Sequence, residues 1–182
     1  MHELILGGGK RGKSCRAELR AKDWLQVSGQ CARMIATATP GDDEMRKRIS
    51  RHGEQRALHV PNLQTLELRH ALPAALREWC APQRLVIGGG LNVCLAQPLM
   101  PMLGPRPDEQ AWHQQEADLG DALGNAARPV VPVCDEIGIN VAALGREVRR
   151  HLDALRRLHQ RLAIFCERVT LMVTGSEMTV KE

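Results

Sequence analysis

The chain has 182 residues, 43% hydrophobic and only 2% aromatic, with no Tyr and a single Phe. That is enough for one domain spanning residues 1–182, too short for two comfortable ones, and it excludes a disordered chain. So few rings also argue against nucleic-acid binding by base stacking. The net charge of +4 fits a solvated Arg-rich face or a pocket for an anion. Six cysteines occur without a C-x-x-C pair, so they outline neither a zinc site nor a disulfide framework.

The first short apolar run is Glu3–Leu6. Lys10, Arg11 and Lys13 interrupt it too early for a secretion signal, and no apolar run approaches the ~18 residues of a membrane span. A soluble, cytoplasmic protein with reduced thiols is therefore expected. Further runs follow at Arg33–Thr37, Arg84–Ile87, Val130–Val133 and Val169–Val173. Each is brief and rich in Val, Ile or Leu, as strands buried on both faces are. The segments between them are long enough for crossover helices. This order predicts an α/β fold, a mostly parallel open sheet flanked by helices.

Gly41 to Met45 reads as a helix start, with Asp42 able to cap free N–H groups and acidic neighbours complementing the helix dipole. The proline-rich stretch Pro98 to Asp108 reads as an irregular loop. Leu144 to Cys166 is the clearest helix: Leu144, Val148, Leu152, Leu155, Leu158, Leu162 and Phe165 recur at steps of three and four. Arginines fill its other side, which in the ordinary reading is solvated.

The spacing Gly7-x-x-x-x-Gly12-Lys13-Ser14 is that of a phosphate-binding loop, and it lies between a predicted strand and a predicted helix. Gly7, Gly8, Gly9 and Gly12 let the backbone curl around Lys10 and Arg11, so that successive N–H groups point into one concavity. The helix that follows adds its positive end. Lys13 would set a charge near the β- and γ-phosphates, and Ser14 would ligate Mg²⁺. A glycine-rich turn without ligand is the alternative. Further on, Met45, Ile49 and His52 share one helix face at i, i+4 and i+7. His52 is then either a hydrogen-bonded core histidine or a neutral imidazole held as a nucleophile, with Arg56 one turn on to meet a phosphate.

Four blocks, in order, resemble the bifunctional adenosylcobinamide kinase / adenosylcobinamide-phosphate guanylyltransferase family of cobalamin biosynthesis. They are LILGGGKRGKS, IATATPGDDEMRKRISRH, VCDEIGIN, and LHQRLA followed by Val169–Gly175. The resemblance spans nearly the whole chain, and the second block is the specific one. It implies a single-domain RecA-like P-loop fold and two reactions. The first is phosphorylation of adenosylcobinamide by ATP or GTP. The second is GMP transfer from GTP, by way of a guanylyl-histidine, to give adenosylcobinamide-GDP. By the same resemblance His52 is the histidine, Gly7 through Ser14 the phosphate loop, Thr37 and Arg56 nucleotide contacts, and the assembly a homotrimer.

The chain departs from the family pattern at several positions. Gly89, in the run Gly88-Gly89-Gly90, stands where the family has a strand-end Asp that would help hold Mg²⁺. Asp135 replaces an Asn, Asn140 a Gly, and Lys10-Arg11 the commoner Arg-Ser. Asp135 and Glu136 follow a strand end, where open sheets place their ligands. Two other readings are a nucleotide-binding relative that lacks one or both activities, and a P-loop kinase of another small metabolite.

Overall fold

A computed structural model of the chain describes residues 1–37, 42–68, 72–79, 84–91, 109–127, 129–137 and 145–182. The proline-rich stretch at 98–108, Asn140, Cys80 and Cys94 lie outside them.

The described residues form one sheet with helices on both faces. In chain order the elements are β1 (Glu3–Gly7), α1 (Lys13–Ser28), β2 (Cys31–Ala36), α2 (Asp43–His59), β3 (Leu63–Glu67) and α3 (Leu72–Trp79), then β4 (Arg84–Gly89), α4 (Glu109–Gly124), β5 (Val130–Asp135), α5 (Arg146–Phe165), β6 (Arg168–Val173) and β7 (Ser176–Lys181). The sheet order is β3-β2-β4-β5-β1-β6-β7, parallel throughout except for the β6–β7 hairpin.

The five apolar runs are the five interior strands, because a strand covered on both faces must be apolar at every position. In β1, Leu4 enters the core under α3, α4 and α5, while the next residue, Ile5, enters the core under α1. The edge strands β3 and β7 were not anticipated. Each pairs along one side, and all six residues of β7 are exposed. β4 also runs on through Gly88 and Gly89, past the expected Ile87.

Close packing of α4 on α5 uses glycines. A Cβ at Gly124 would stand 2.7 Å from the Phe165 ring. At the amino edge of the sheet, buried Glu3 pairs with Arg20 of α1 and accepts a 2.7 Å hydrogen bond from Thr170 of β6. Cys15, Cys31, Cys134 and Cys166 are all free thiols.

Candidate functional site

Parallel strands gather their carboxyl ends at one edge, and β1 delivers its loop there from between β5 and β6. Gly7 lies against β6 so closely that a Cβ would stand 2.8 Å from the Met172 carbonyl oxygen. Lys10 takes a left-handed φ of 57°, uncommon for a residue with a side chain, and Gly12 turns into α1 with φ 96°. α1 begins with no side-chain cap and no acidic residue in its first turn. Its free N–H groups and positive end are thus left for an anion. Arg11 folds back over Gly8, where an added Cβ would lie 3.4 Å from the Arg11 Cγ.

Lys13 is buried, and its Nζ donates a 2.7 Å hydrogen bond to the Gly8 carbonyl while lying 2.5 Å from Asp135 Oδ1. The ammonium therefore bridges the loop to the end of β5, where Asp135 stands opposite Gly7 in register. Ser14 is exposed beside it in the first turn of α1. The residues Gly7 through Ser14 thus form one turn from the end of β1 into the start of α1.

Alternation along β5 sends the next residue to the other face of the sheet. Glu136 donates its backbone N–H to the Gly7 carbonyl at 2.9 Å, and its Oε2 lies 3.1 Å from Nδ1 of His159 on α5. Burial pushes the His159 imidazole below the usual histidine range, against the pull of Glu136. The neutral ring donates Nδ1–H to the carboxylate, and its buried Nε2 finds no partner among the described residues. Sequence reading did not single out His159. The signal was there: one polar residue at the centre of the apolar face formed by Leu155, Leu158 and Leu162.

Thr37 is buried just past β2, with its hydroxyl 2.9 Å and 2.7 Å from the carbonyl oxygens of Gly89 and Gly90. It braces the end of β2 against the end of β4, and Gly90 turns there with φ 69°. Position 89 carries no acid, and a Cβ there would make ordinary contacts of 3.5 Å with the Ile35 carbonyl and 3.9 Å with Met34 Sδ.

His52 sits on α2, which Asp42 caps by accepting a 2.7 Å hydrogen bond from the Met45 N–H. Arg56 reaches Glu18 of α1 at 3.6 Å and donates to Thr65 Oγ1 of β3 at 2.9 Å. Both helices run from the carboxyl edge back along the sheet. One turn, about 6 Å, up from the Glu18–Arg56 contact lie Ser14 on α1 and His52 on α2. His52 is half-buried, and its ring makes no hydrogen bond or ion pair among the described residues. Partial burial, then the charges of Arg48, Arg51 and Arg56, hold its imidazole below the usual range. A neutral ring with open nitrogens is suited to nucleophilic attack.

No group of three or more His, Cys, Asp or Glu among the described residues could hold a metal by itself. The exposed Ser14 hydroxyl and the Asp135 carboxylate do fit a Mg²⁺ that arrives on phosphates, since such an ion keeps most of its waters and takes few protein ligands.

Comparison with known proteins identifies the family. The family described as cobinamide kinase / cobinamide phosphate guanyltransferase matches residues 3–180. The bifunctional adenosylcobalamin biosynthesis protein CobP of Pseudomonas aeruginosa is 36% identical over 181 residues, covering 100% of this chain and 98% of the relative. Its counterpart CobU of Salmonella typhimurium is 29% identical, covering 98% of each chain. Among solved structures, the ATPase domain of G40P superimposes with a TM-score of 0.54 at 14% identity, covering 93% of this chain and 68% of the other. A KaiC-like protein from Pyrococcus horikoshii does so with 0.51 at 10% identity, covering 93% and 69%. These distant likenesses establish the P-loop NTPase fold, and the full-length match establishes more: the chain belongs to the cobinamide kinase / cobinamide phosphate guanyltransferase family.

Proposed function

We propose that this protein performs two successive transfers on one corrinoid. In the first, the γ-phosphoryl group of ATP or GTP passes to the hydroxyl of the aminopropanol arm of adenosylcobinamide, and the nucleoside diphosphate leaves. In the second, the His52 imidazole attacks the α-phosphate of GTP, pyrophosphate departs, and GMP stays on the ring through a P–N bond. The phosphate of the corrinoid then displaces His52 and takes up GMP, giving adenosylcobinamide-GDP.

The observation that carries this reading is the buried Lys13 ammonium, held across the loop between the Gly8 carbonyl and Asp135. A phosphate in the concavity meets that charge, the N–H groups of Gly8 through Ser14 and the start of α1. Mg²⁺ bound with the nucleotide supplies further neutralisation of phosphate charge, with Ser14 as its protein hydroxyl. Lys10 and Arg11 lie at the loop rim. Arg56 offers a guanidinium once a phosphate competes with Glu18, and Thr37 fixes the strand ends beneath the nucleotide. By resemblance the enzyme is a cytoplasmic homotrimer, which sedimentation would report as three times the 20.2 kDa chain. No described helix is long and apolar enough to cross a membrane.

The test is incubation with GTP labelled at the α-phosphate. Label should remain on the protein through an acid-labile, base-stable bond, as a phosphoramidate does. His52→Ala should abolish it, and persistent labelling of that variant would remove His52 from the reaction.

A further inference from the structure

The strand end that resemblance marks for an acid holds Gly89, and another carboxylate stands on the same face of the sheet. Ile87 and Val133 both pack in the core under α1. Alternation puts Gly89 and Asp135, each two residues further on, on that face as well. Gly89 pairs in register with Val133. Asp135 is thus one strand nearer to β1 and two residues, about 6.6 Å, further along. That places it at the mouth of the phosphate loop, opposite Gly7 and 2.5 Å from Lys13 Nζ. Other strand-end acids among the described residues are poorly placed. Glu136 faces the opposite side and is held by His159. Glu67 ends the edge strand β3, with three strands between it and β1.

We propose that Asp135 is the carboxylate that faces the Mg²⁺ of the bound nucleoside triphosphate, taking over the work of the acid absent at position 89. The proposal rests on the nucleotide-transfer reading above. Charge explains the arrangement. In the free protein Asp135 forms an ion pair with Lys13. A triphosphate draws the ammonium to itself and leaves Asp135 beside added negative charge, which is repulsive unless a second cation enters. Asp135 therefore makes tight nucleotide binding conditional on the metal, and Ser14 supplies the neighbouring hydroxyl.

The test is GTP affinity of the whole protein with and without Mg²⁺. In the unsubstituted protein Mg²⁺ should tighten GTP about tenfold or more. Asp135→Asn keeps the shape and removes the charge. It should bind GTP as well or better without Mg²⁺, and the gain on adding Mg²⁺ should fall to near unity. Asp135→Glu should keep part of the gain. Gly89→Asp in the Asp135→Asn background should restore it, since a Cβ at position 89 makes only ordinary contacts and the backbone there has no left-handed φ. Because coupling is reciprocal, GTP should tighten Mn²⁺ in paramagnetic resonance titrations by the factor by which Mn²⁺ tightens GTP, and that factor should fall to near unity in Asp135→Asn. An Asp135→Asn protein that keeps the full gain overturns the assignment and leaves the functional reading intact. Absence of any GTP binding by the unsubstituted protein overturns both.

Discussion

Helices α1 and α2 both descend from the edge where the strands end, yet they are held in different ways. α1 buries Ala17, Glu18 and Ala21 against the sheet, and Ala17 and Ala21 are wholly inaccessible. None of the 17 residues of α2 is buried. It is tied down by polar contacts instead: Arg56 and His59 to Glu18, and Arg56 to Thr65. The helix that follows the glycine loop is built into the core, and the helix that carries the candidate nucleophile is attached to its surface. Binding a triphosphate needs fixed N–H groups and a fixed ammonium. A histidine that takes GMP from one substrate and gives it to another gains nothing from being packed in.

The sharpest way to break this division is to remove one functional side chain from each helix. In the proposed scheme Lys13 meets phosphates in both reactions, so Lys13→Ala should lower both kinase and guanylyl turnover by about 10²- to 10³-fold, the usual cost of one well-placed charge-stabilising donor. His52→Ala should remove covalent GMP while corrinoid phosphorylation continues. Steady-state assay of the two products separately checks this, and equal loss of both in His52→Ala would mean that α2 serves the kinase step too.

Stability should divide along the same line. Ala21→Leu forces extra methylenes into a full site and should cost about 1–3 kcal/mol. Ile49→Ala, on the best apolar face that α2 has, should stay within about 0.5 kcal/mol, as surface changes do. Denaturant unfolding of the two variants measures both. If Ile49→Ala proved the costlier, some unseen surface would have to cover α2.

Much of the fold was readable beforehand, though unevenly, and this contrast was not. Interior strands show themselves because both faces are apolar. β3 and β7 do not, since LQTLE and SEMTVK each have solvent along one side and mixed faces. The turn from Gly7 to Ser14 is local in sequence, so its place between a strand and a helix was legible. The Lys13–Asp135 bridge was not, because Asp135 lies 122 positions beyond Lys13 in the chain and only strand order makes them neighbours. The same applies to Glu136 and His159. The placement of His52 on a helix face was visible, but the spacing Met45, Ile49, His52 looks identical whether that face meets a core or solvent. The periodicity of α5 and of α2 therefore led to equally good helices with very different burial.

Local stability offers a smaller effect. An element with few buried contacts opens more readily, so α2 amides should exchange with solvent faster than those of α1. Asp42 opposes this by capping the first turn. Asp42→Ala should cost about 1 kcal/mol of local stability and speed exchange along the first turns of α2, leaving α1 unchanged. Acceleration spread over both helices would mean that they open as one unit.

The smallest expected effect concerns the histidine's charge. Only the neutral imidazole attacks phosphorus, so labelling should rise with pH and level off above the pKa of His52 in the folded protein. Burial first, then Arg48, Arg51 and Arg56, hold that pKa below the ordinary value of about 6.5, so the plateau should already be reached at neutral pH. The sign for stability is the same. The folded state resists protonation at His52, so its contribution is intact above the ordinary histidine value and is lost as pH falls towards the lowered one. Arg51→Gln removes one like charge and leaves burial untouched, so the inflection should move up, and less in high salt, where exposed charges are screened. An inflection that stayed put in low salt would assign the depression to burial alone, and α2 would then be more firmly seated than its exposed face implies.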